Sequence, residues 1–448
     1  MLNAPNRHHN ESPNQPKESI SMSFATLGLC DELLKTVAEQ GYTTASPIQT
    51  QAIPAVLSKR DVIGVAHTGT GKTAGFTLPM VQLLSAGSIK GDSIQSGSRQ
   101  QIKSVRALVI TPTRELAAQV AASVQNYSRH LNIRSAAVFG GVRIEPQIAE
   151  LKFGVDVLVA TPGRLLDLYQ QQAINFDALQ LLVLDEADRM LDLGFVDDIR
   201  LIQTLLPTTR QTLMFSATFS KQIQFLAKGM LNNPLLIEVA NDNHTVDRVK
   251  QKVHPVDKSR KSELLIYLIK KHKWRQVLVF SGTKHGADKL VIQLEKAGIS
   301  AASIHANRTQ HARTFVLEGF KSGKVKVLVA TDIASRGIDI NQLPCVVNFD
   351  LPFVPQDYVH RIGRAGRAGT FGLAVSLFSE HESKQLQTIE ALIGRKLEQE
   401  IISGFAPSEK TLRDSSDDSD DEEYGNFEAD AKPQRNGQSK GRGSRRRK

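Results

Sequence analysis

Cysteine is nearly absent. Cys30 and Cys345 are the two in 448 residues, far apart in sequence. That excludes a disulfide framework and any four-cysteine zinc site, and it suits a reducing cytoplasm. Long apolar runs are missing too: no window reaches the roughly 18 consecutive apolar residues that span a bilayer. The first residues, MLNAPNRHHNESPNQPKES, are polar and lack the apolar core of a secretory signal. A cytoplasmic protein without membrane contact is the expectation. What is present is ordinary for a globular chain: 40% hydrophobic and 23% charged residues, which rule out wholesale disorder, collagen and coiled coil. Lys and Arg number 56 against 46 acids, a net +10 that permits a polyanionic partner without proving one. The length fits two or three domains of about 150 residues.

Residues 1–21 have little to bury and read as a disordered arm. From Phe24 to about 240, short apolar runs alternate with helical patterns: Val62 to Ala66, Ala107 to Thr111, Ala136 to Phe139, Val157 to Ala160, Leu181 to Leu184 and Thr212 to Phe215. Continuous apolar strands separated by helices predict a parallel sheet covered on both faces. The pattern resumes with Val277 to Phe280, Ala301 to Ile304, Val325 to Ala330, Val346 to Phe349 and Ala374 to Phe378. The expected organisation is therefore an arm at 1–21, an α/β domain at 22–240, a linker at 241–250, a second α/β domain at 251–400 and a disordered tail at 401–448. A polar insert at 85–104 reads as a surface loop. The tail holds nine acids and no base in 414–430, then eight bases and no acid in 431–448; its net −1 leaves about +11 on residues 1–413. The basic end suits phosphate contacts, or a merely solvated tail.

Two segments carry chemistry. AHTGTGKT at 66–73 follows a strand and precedes a helix. Glycine-rich turns in that context converge backbone N–H groups on phosphates, with Lys72 reaching the β/γ-phosphates and Thr73 ligating Mg²⁺. Ala66 stands where the pattern usually opens with Gly. LQLLVLDEAD at 179–188 ends a buried strand in acids. Asp185 is the candidate to hold Mg²⁺, partly through water, and Glu186 to take a proton from the attacking water. Alone, the two acids read equally well as a cap on the next helix.

Together with the segments around them, these residues resemble the DEAD-box helicases of superfamily 2. The matching segments run in the family's order over roughly four-fifths of the chain: GYTTASPIQ at 41–49, AHTGTGKT at 66–73, PTRELA at 112–117, GG at 140–141, TPGR at 161–164, DEAD at 185–188, SAT at 216–218, VLVFSGTK at 277–284, Gln310 to Arg313, ATDIASRGID at 330–339 and HRIGRAGRAG at 360–369. GFTLP, YSRHLNIRS, FSATFS and TKHGA are most similar to the bacterial RhlE-type RNA helicases. The resemblance implies two tandem RecA-like domains and an ATP-dependent RNA helicase, with ATP and Mg²⁺ as cofactors. It implies RNA as the partner, bound without sequence preference. Ribosome assembly or RNA turnover is the expected setting, with ribosomal precursors or a ribonuclease complex as possible partners and a monomer as the default.

Residue by residue, the resemblance places Phe24, Gln49, Thr68, Gly69, Thr70, Gly71, Lys72, Thr73 and Asp339 around the nucleotide. Gln49 would read the adenine edge and Phe24 would stack on it; Phe24 alone reads more plainly as a core residue. Arg364 and Arg367 would be arginine fingers. With Arg361 they recur every third residue, a spacing that a helix would align on one face. Asp188, Ser216, Thr218 and His360 would couple hydrolysis to strand separation, the hydroxyls linking Asp188 to the second domain. Thr113, Arg114, Gly141, Thr161, Gly163, Arg164, Thr283, Gln310, Arg313 and Thr331 match positions on the RNA backbone. Departures stand at His67, at Ser281-Gly282 in place of Thr-Arg, and at Ala306 in place of Gly. The missing Arg at 282 weakens one expected RNA contact.

Overall fold

The computed structural model describes residues 22–67, 69–87, 105–239, 249–335, 340, 343–366 and 372–408. The arm, most of the insert, the bulk of the linker, the tail beyond Ser408, and the individual positions Thr68, Asp339 and Arg367 lie outside them.

The first sheet has seven parallel strands in the order β3-β4-β2-β5-β6-β1-β7. They are β1 Val62–Val65, β2 Ala107–Ile110, β3 Ser135–Val138, β4 Val157–Ala160, β5 Leu181–Leu184, β6 Gln211–Ser216 and β7 Leu235–Glu238. The second sheet runs β10-β11-β9-β12-β13-β8, again all parallel. Its members are β8 Val249–Pro255, β9 Val277–Phe280, β10 Ala301–Ile304, β11 Val327–Ala330, β12 Cys345–Asn348 and β13 Gly372–Phe378.

Each sheet is buried on both faces. In β2, Ala107 and Val109 enter one apolar cluster while Leu108 and Ile110 enter the other. In β9, Leu278 and Phe280 oppose Val277 and Val279 in the same way. Successive side chains of a strand point to opposite faces, so strands with helices on both sides must be apolar at every position. This is the tandem arrangement that the alternating pattern predicts. Within it, β8 begins at Val249, inside the stretch expected to link the domains, and Ile402, expected in the tail, is 7% exposed and packs beneath the second sheet with Phe405.

The fold decides where chemistry can occur. In parallel sheets, ligands sit beyond the carboxyl ends of the strands. Ala66, Thr111, Phe139, Thr161, Asp185 and the end of β6 at Ser216 all occupy that edge of the first lobe. Ser281, His305, Thr331 and Phe349 occupy the same edge of the second. Nearly every motif of the sequence falls on these two edges. Among the described residues no helix is long and apolar enough to cross a membrane.

Candidate active site and nucleic-acid interface

The glycine-rich turn links β1 to the helix Lys72–Gly87. Gly71 takes φ +89°, where side chains are strained, and a Cβ there would lie 2.3 Å from Gln49 Nε2. That closeness is used: Gln49 Nε2 donates to the Gly71 carbonyl at 3.1 Å, and its Oε1 accepts from the Ser46 N–H at 2.9 Å. Gln49 thus braces the turn against the start of its own helix. Thr70 Oγ1 donates to the His67 carbonyl at 2.7 Å, and the buried Lys72 donates from Nζ to the Ala66 carbonyl at 2.5 Å. Thr73 follows at the second position of the helix.

Asp185 ends β5, is 2% exposed, and accepts the Glu186 N–H at 3.0 Å. Burial, opposed by the Lys72 charge, pushes its carboxyl up to about 7. Glu186 itself sits at φ 55°, ψ 53°, the left-handed region that a glutamate rarely adopts. Strain of that kind, of order 1–3 kcal/mol, collects at functional positions. A buried carboxyl held next to a lysine and a phosphate-type turn is a donor set that fits a hydrated magnesium ion carried with a nucleotide.

The raised carboxyl carries a stability prediction. Its folded value lies above the 3.8 of an unfolded Asp, so the folded chain binds the proton more tightly. Without metal or nucleotide, stability is lost as pH rises from about 4 through about 7. Asp185→Asn removes that component. Urea midpoints of both proteins across this range should converge at low pH and separate at neutral pH, the variant being the more stable; parallel curves would refute the assignment.

Two expected sites look different in space. Phe24 is 4% exposed, sits in the first core cluster, and its ring lies 6.5 Å from that of Tyr42. It packs as a core residue, and Tyr42, 47% exposed, is the accessible ring of the pair. Arg361 and Arg364 do not share a helix face. The helix Pro355–Ile362 ends before Arg364, with Gly363 at its cap. Arg361, 2% exposed, turns inward onto Asp332. Arg364 lies past the helix, where its carbonyl accepts the Leu343 N–H at 2.9 Å. Arg367 is outside the described residues.

Within the coupling group, backbone N–H groups are the donors. Asp188 Oδ2 accepts the Ala217 N–H at 3.1 Å, and Ser216 Oγ accepts the Thr218 N–H at 3.3 Å. The approach to the second lobe comes instead from Arg189, which sequence reasoning passed over: Nη1 lies 3.8 Å from Asp357 Oδ1. His360 Nδ1 lies 3.9 Å from that same oxygen.

The RNA candidates form two groups. Thr113 and Thr161 cap the helices Arg114–Tyr127 and Pro162–Gln170, and Gly163 lies in the first turn of the latter. Gly141, at φ +75°, leaves room for Arg114, whose guanidinium a Cβ would meet at 2.0 Å. Arg164 is 8% exposed, donates from Nη2 to the Val142 carbonyl at 2.9 Å, and keeps Nε and Nη1 buried without a hydrogen-bond partner. Nε also pairs with Asp167 Oδ2 at 3.6 Å, and the remaining Nη1 donor suits a phosphate oxygen. In the second lobe, Thr283 caps its helix by accepting the Gly286 N–H at 2.9 Å, and Thr331 follows β11. At 282, where the expected arginine is missing, the Gly282 N–H donates to Asp350 Oδ2 at 2.7 Å. Gln310 and Arg313 face the first lobe: Gln310 Nε2 donates to Glu115 Oε1 at 3.1 Å and Arg313 Nη2 reaches that oxygen at 2.9 Å. The acceptor is Glu115 of PTRELA, the residue directly after the candidates Thr113 and Arg114.

Comparison with known proteins agrees with this geometry. The DEAD/DEAH box helicase family matches residues 46–226 and the helicase conserved C-terminal domain matches 260–369. The ATP-dependent RNA helicase RhlB of Pseudomonas putida is 40% identical over 390 residues, covering 86% of this chain and 96% of its own. The DEAD-box ATP-dependent RNA helicase CshA of Bacillus cereus is 40% identical over 376 residues, 84% of this chain and 69% of that one. In structure, S. cerevisiae Dbp5 bound to RNA and ADP BeF3 is similar at a TM-score of 0.72 and 30% identity, over 86% of this chain and 95% of Dbp5. Mss116p bound to ssRNA and AMP-PNP is similar at 0.75 and 28% identity, over 88% of this chain and 81% of that one. With a family model matched in each lobe and the phosphate-binding turn, the acidic strand end and the cap threonines in place, the chain belongs to the DEAD-box ATP-dependent RNA helicases.

Proposed function

We propose that this ATP-dependent RNA helicase opens short RNA duplexes locally, with hydrolysis run by Lys72, Asp185, Glu186, Arg364 and Arg367. The observation that carries the reading is the buried Asp185 facing Lys72, beside a Glu186 held in a strained backbone. Mg²⁺-bound ATP supplies the reactive phosphoryl group and a metal to polarise it. The protein's own part is positional and electrostatic. Gly69, Thr70 and Gly71, with Thr68, offer backbone N–H groups; Lys72 lends positive charge; Thr73 and Asp185 hold the hydrated metal. Glu186 takes the proton of the attacking water. Arg364 and Arg367 add charge from the second lobe, with Asp339 on the ribose side. Gln49 and an aromatic ring, Phe24 or its exposed neighbour Tyr42, hold the base.

RNA is gripped by Thr113, Arg114, Gly141, Thr161, Gly163 and Arg164 in the first lobe and by Thr283 and Thr331 in the second. Gln310 and Arg313 act through Glu115, tying the RNA-bearing edge of one lobe to the other. Asp188, Ser216, Thr218 and His360, joined by Arg189 and Asp357, transmit closure. These contacts meet sugar and phosphate, so binding is tolerant of sequence and weakens with salt. A monomer in the bacterial cytoplasm, acting in ribosome assembly or RNA turnover, is the setting this activity suits. The RhlE-type assignment rests on GFTLP, YSRHLNIRS, FSATFS and TKHGA alone.

The test is the steady-state ATPase rate with no nucleic acid, with RNA and with single-stranded DNA. RNA should stimulate strongly and DNA should not, because the 2′-hydroxyl separates the two. Equal rates in all three conditions would break the coupling.

A further inference from the structure

The second sheet has another end. β10, β11 and β9 lie side by side, and the loops that lead into them gather opposite Ser281, His305 and Thr331. Four-residue strands put about 13 Å between the two ends. The loop into β9 carries His272, Lys273, Trp274 and Arg275, directly after Lys270 and Lys271 close their helix. The loop into β11 carries Lys324 and Lys326, and Lys296 closes the helix ahead of β10. These loops are stitched together: the Val277 N–H donates to the Lys326 carbonyl at 3.0 Å, the Lys326 N–H to the Ser300 carbonyl at 3.0 Å, and Gln276 Nε2 to the Phe320 carbonyl at 3.0 Å. Every lysine named, with Arg275 and His272, is exposed. The acids nearest in the chain, Glu295 and Glu318, lie within the helices leading to this end.

Helix dipoles account for part of this charge. Cations in a last turn are stabilising, which explains Lys270, Lys271 and Lys296. They do not explain Lys273, Arg275, Lys324 and Lys326, which lie beyond the helices and have no ion pair among the described residues. Between them stands the chain's single tryptophan. Trp274 is half-buried, anchored on the core cluster, and stacked on exposed His272 at 5.6 Å between centroids and 18° between planes. A fixed aromatic ringed by unpaired cations is how proteins hold single strands: bases stack and phosphates are neutralised. An acidic peptide would use the cations and leave the stacked pair idle.

We propose that this end of the second lobe is an auxiliary surface for single-stranded RNA. Phosphates lie on Lys273, Arg275, Lys324 and Lys326, and a base stacks on the His272–Trp274 pair. The surface is separate from the strand ends of the active site, so it lengthens the RNA footprint without entering the chemistry.

Trp274 is its own reporter. Titrating the full chain with single-stranded oligouridylate should quench tryptophan emission saturably, and photo-crosslinking with 4-thiouridine RNA should label the 272–275 segment. In Lys273→Asn/Arg275→Gln/Lys324→Gln/Lys326→Gln, quenching should vanish and the salt slope of RNA affinity should flatten by about 3, at roughly 0.7 per lost contact. ATPase at saturating RNA should stay unchanged. Unaltered emission together with no label at 272–275 would overturn the proposal, even if the variant failed to fold. Quenching by polyglutamate but not by RNA would also overturn it, assigning the surface to an acidic protein.

Discussion

Glu186→Gln should lower RNA-stimulated ATP hydrolysis by about 10²–10⁴-fold, the usual worth of a positioned general base. The amide keeps the size and hydrogen-bonding reach of the carboxylate but cannot accept the water's proton. ATP and RNA binding should persist, because the phosphate turn at Gly69–Lys72 and the threonine caps are untouched. The backbone sharpens the test. Glu186 occupies φ 55°, ψ 53°, where Asn is tolerated far better than Glu. Glu186→Asn should therefore be inactive and somewhat more stable than the native chain, the pattern expected where a strained position serves activity. Thermal midpoints and steady-state rates of both variants decide it. Activity within tenfold of native in Glu186→Gln would remove Glu186 from the proton transfer, and a less stable Glu186→Asn would mean that the left-handed turn is not a source of strain.

Much of this architecture was readable in advance because buried parallel strands are apolar at every position. Val157 to Ala160, Leu181 to Leu184, Val277 to Phe280 and Ala301 to Ile304 appear as strands over those same residues. Of the four edge strands, β7 and β8 were not readable. Only Ile237 of β7 is buried, and β8, VKQKVHP, sets Lys250 and Lys252 on its less covered side and a polar Gln251 among its buried positions. Such segments resemble linkers to any reading that seeks continuous apolar runs. The motif residues were legible by type and order, yet their partners were not. Glu115 meets Gln310 and Arg313 only when two lobes nearly 200 residues apart in sequence come together, and local spacing carries no record of that. The arginines of HRIGRAGRAG show the opposite error. Their three-residue spacing suggests one helix face, but Gly363 ends the helix and the bridge between Leu343 and Ala365 redirects the chain.

That redirection gives Arg361 and Arg364 different work, and their alanine variants should separate cleanly. Arg361 donates from Nε and Nη2 to the two carboxylate oxygens of Asp332, each at 2.6 Å. Its Nη1 serves Asn348 Oδ1 at 3.1 Å and the Asp350 carbonyl at 2.7 Å, and its plane lies 4.8 Å over Phe280. Removing one member of a buried pair strands the other, at about 3–5 kcal/mol. Asp332 keeps 26% of its side chain in solvent, so the lower figure applies: about 3 kcal/mol, or a fall of roughly 6–12 °C in the midpoint of the second lobe. Arg361→Lys should recover little of it, since an ammonium cannot span both oxygens and lie flat on the ring. Arg364→Ala should do the reverse, leaving the midpoint near native and lowering hydrolysis by roughly 10³-fold or more, as loss of an arginine finger does. Added salt should not imitate the Arg361 defect, because a buried pair is poorly screened. An Arg361→Ala chain that melts like the native protein would refute a stabilising role for the Asp332 pair; an Arg364→Ala chain that hydrolyses normally would leave Arg367 as the one remaining candidate finger.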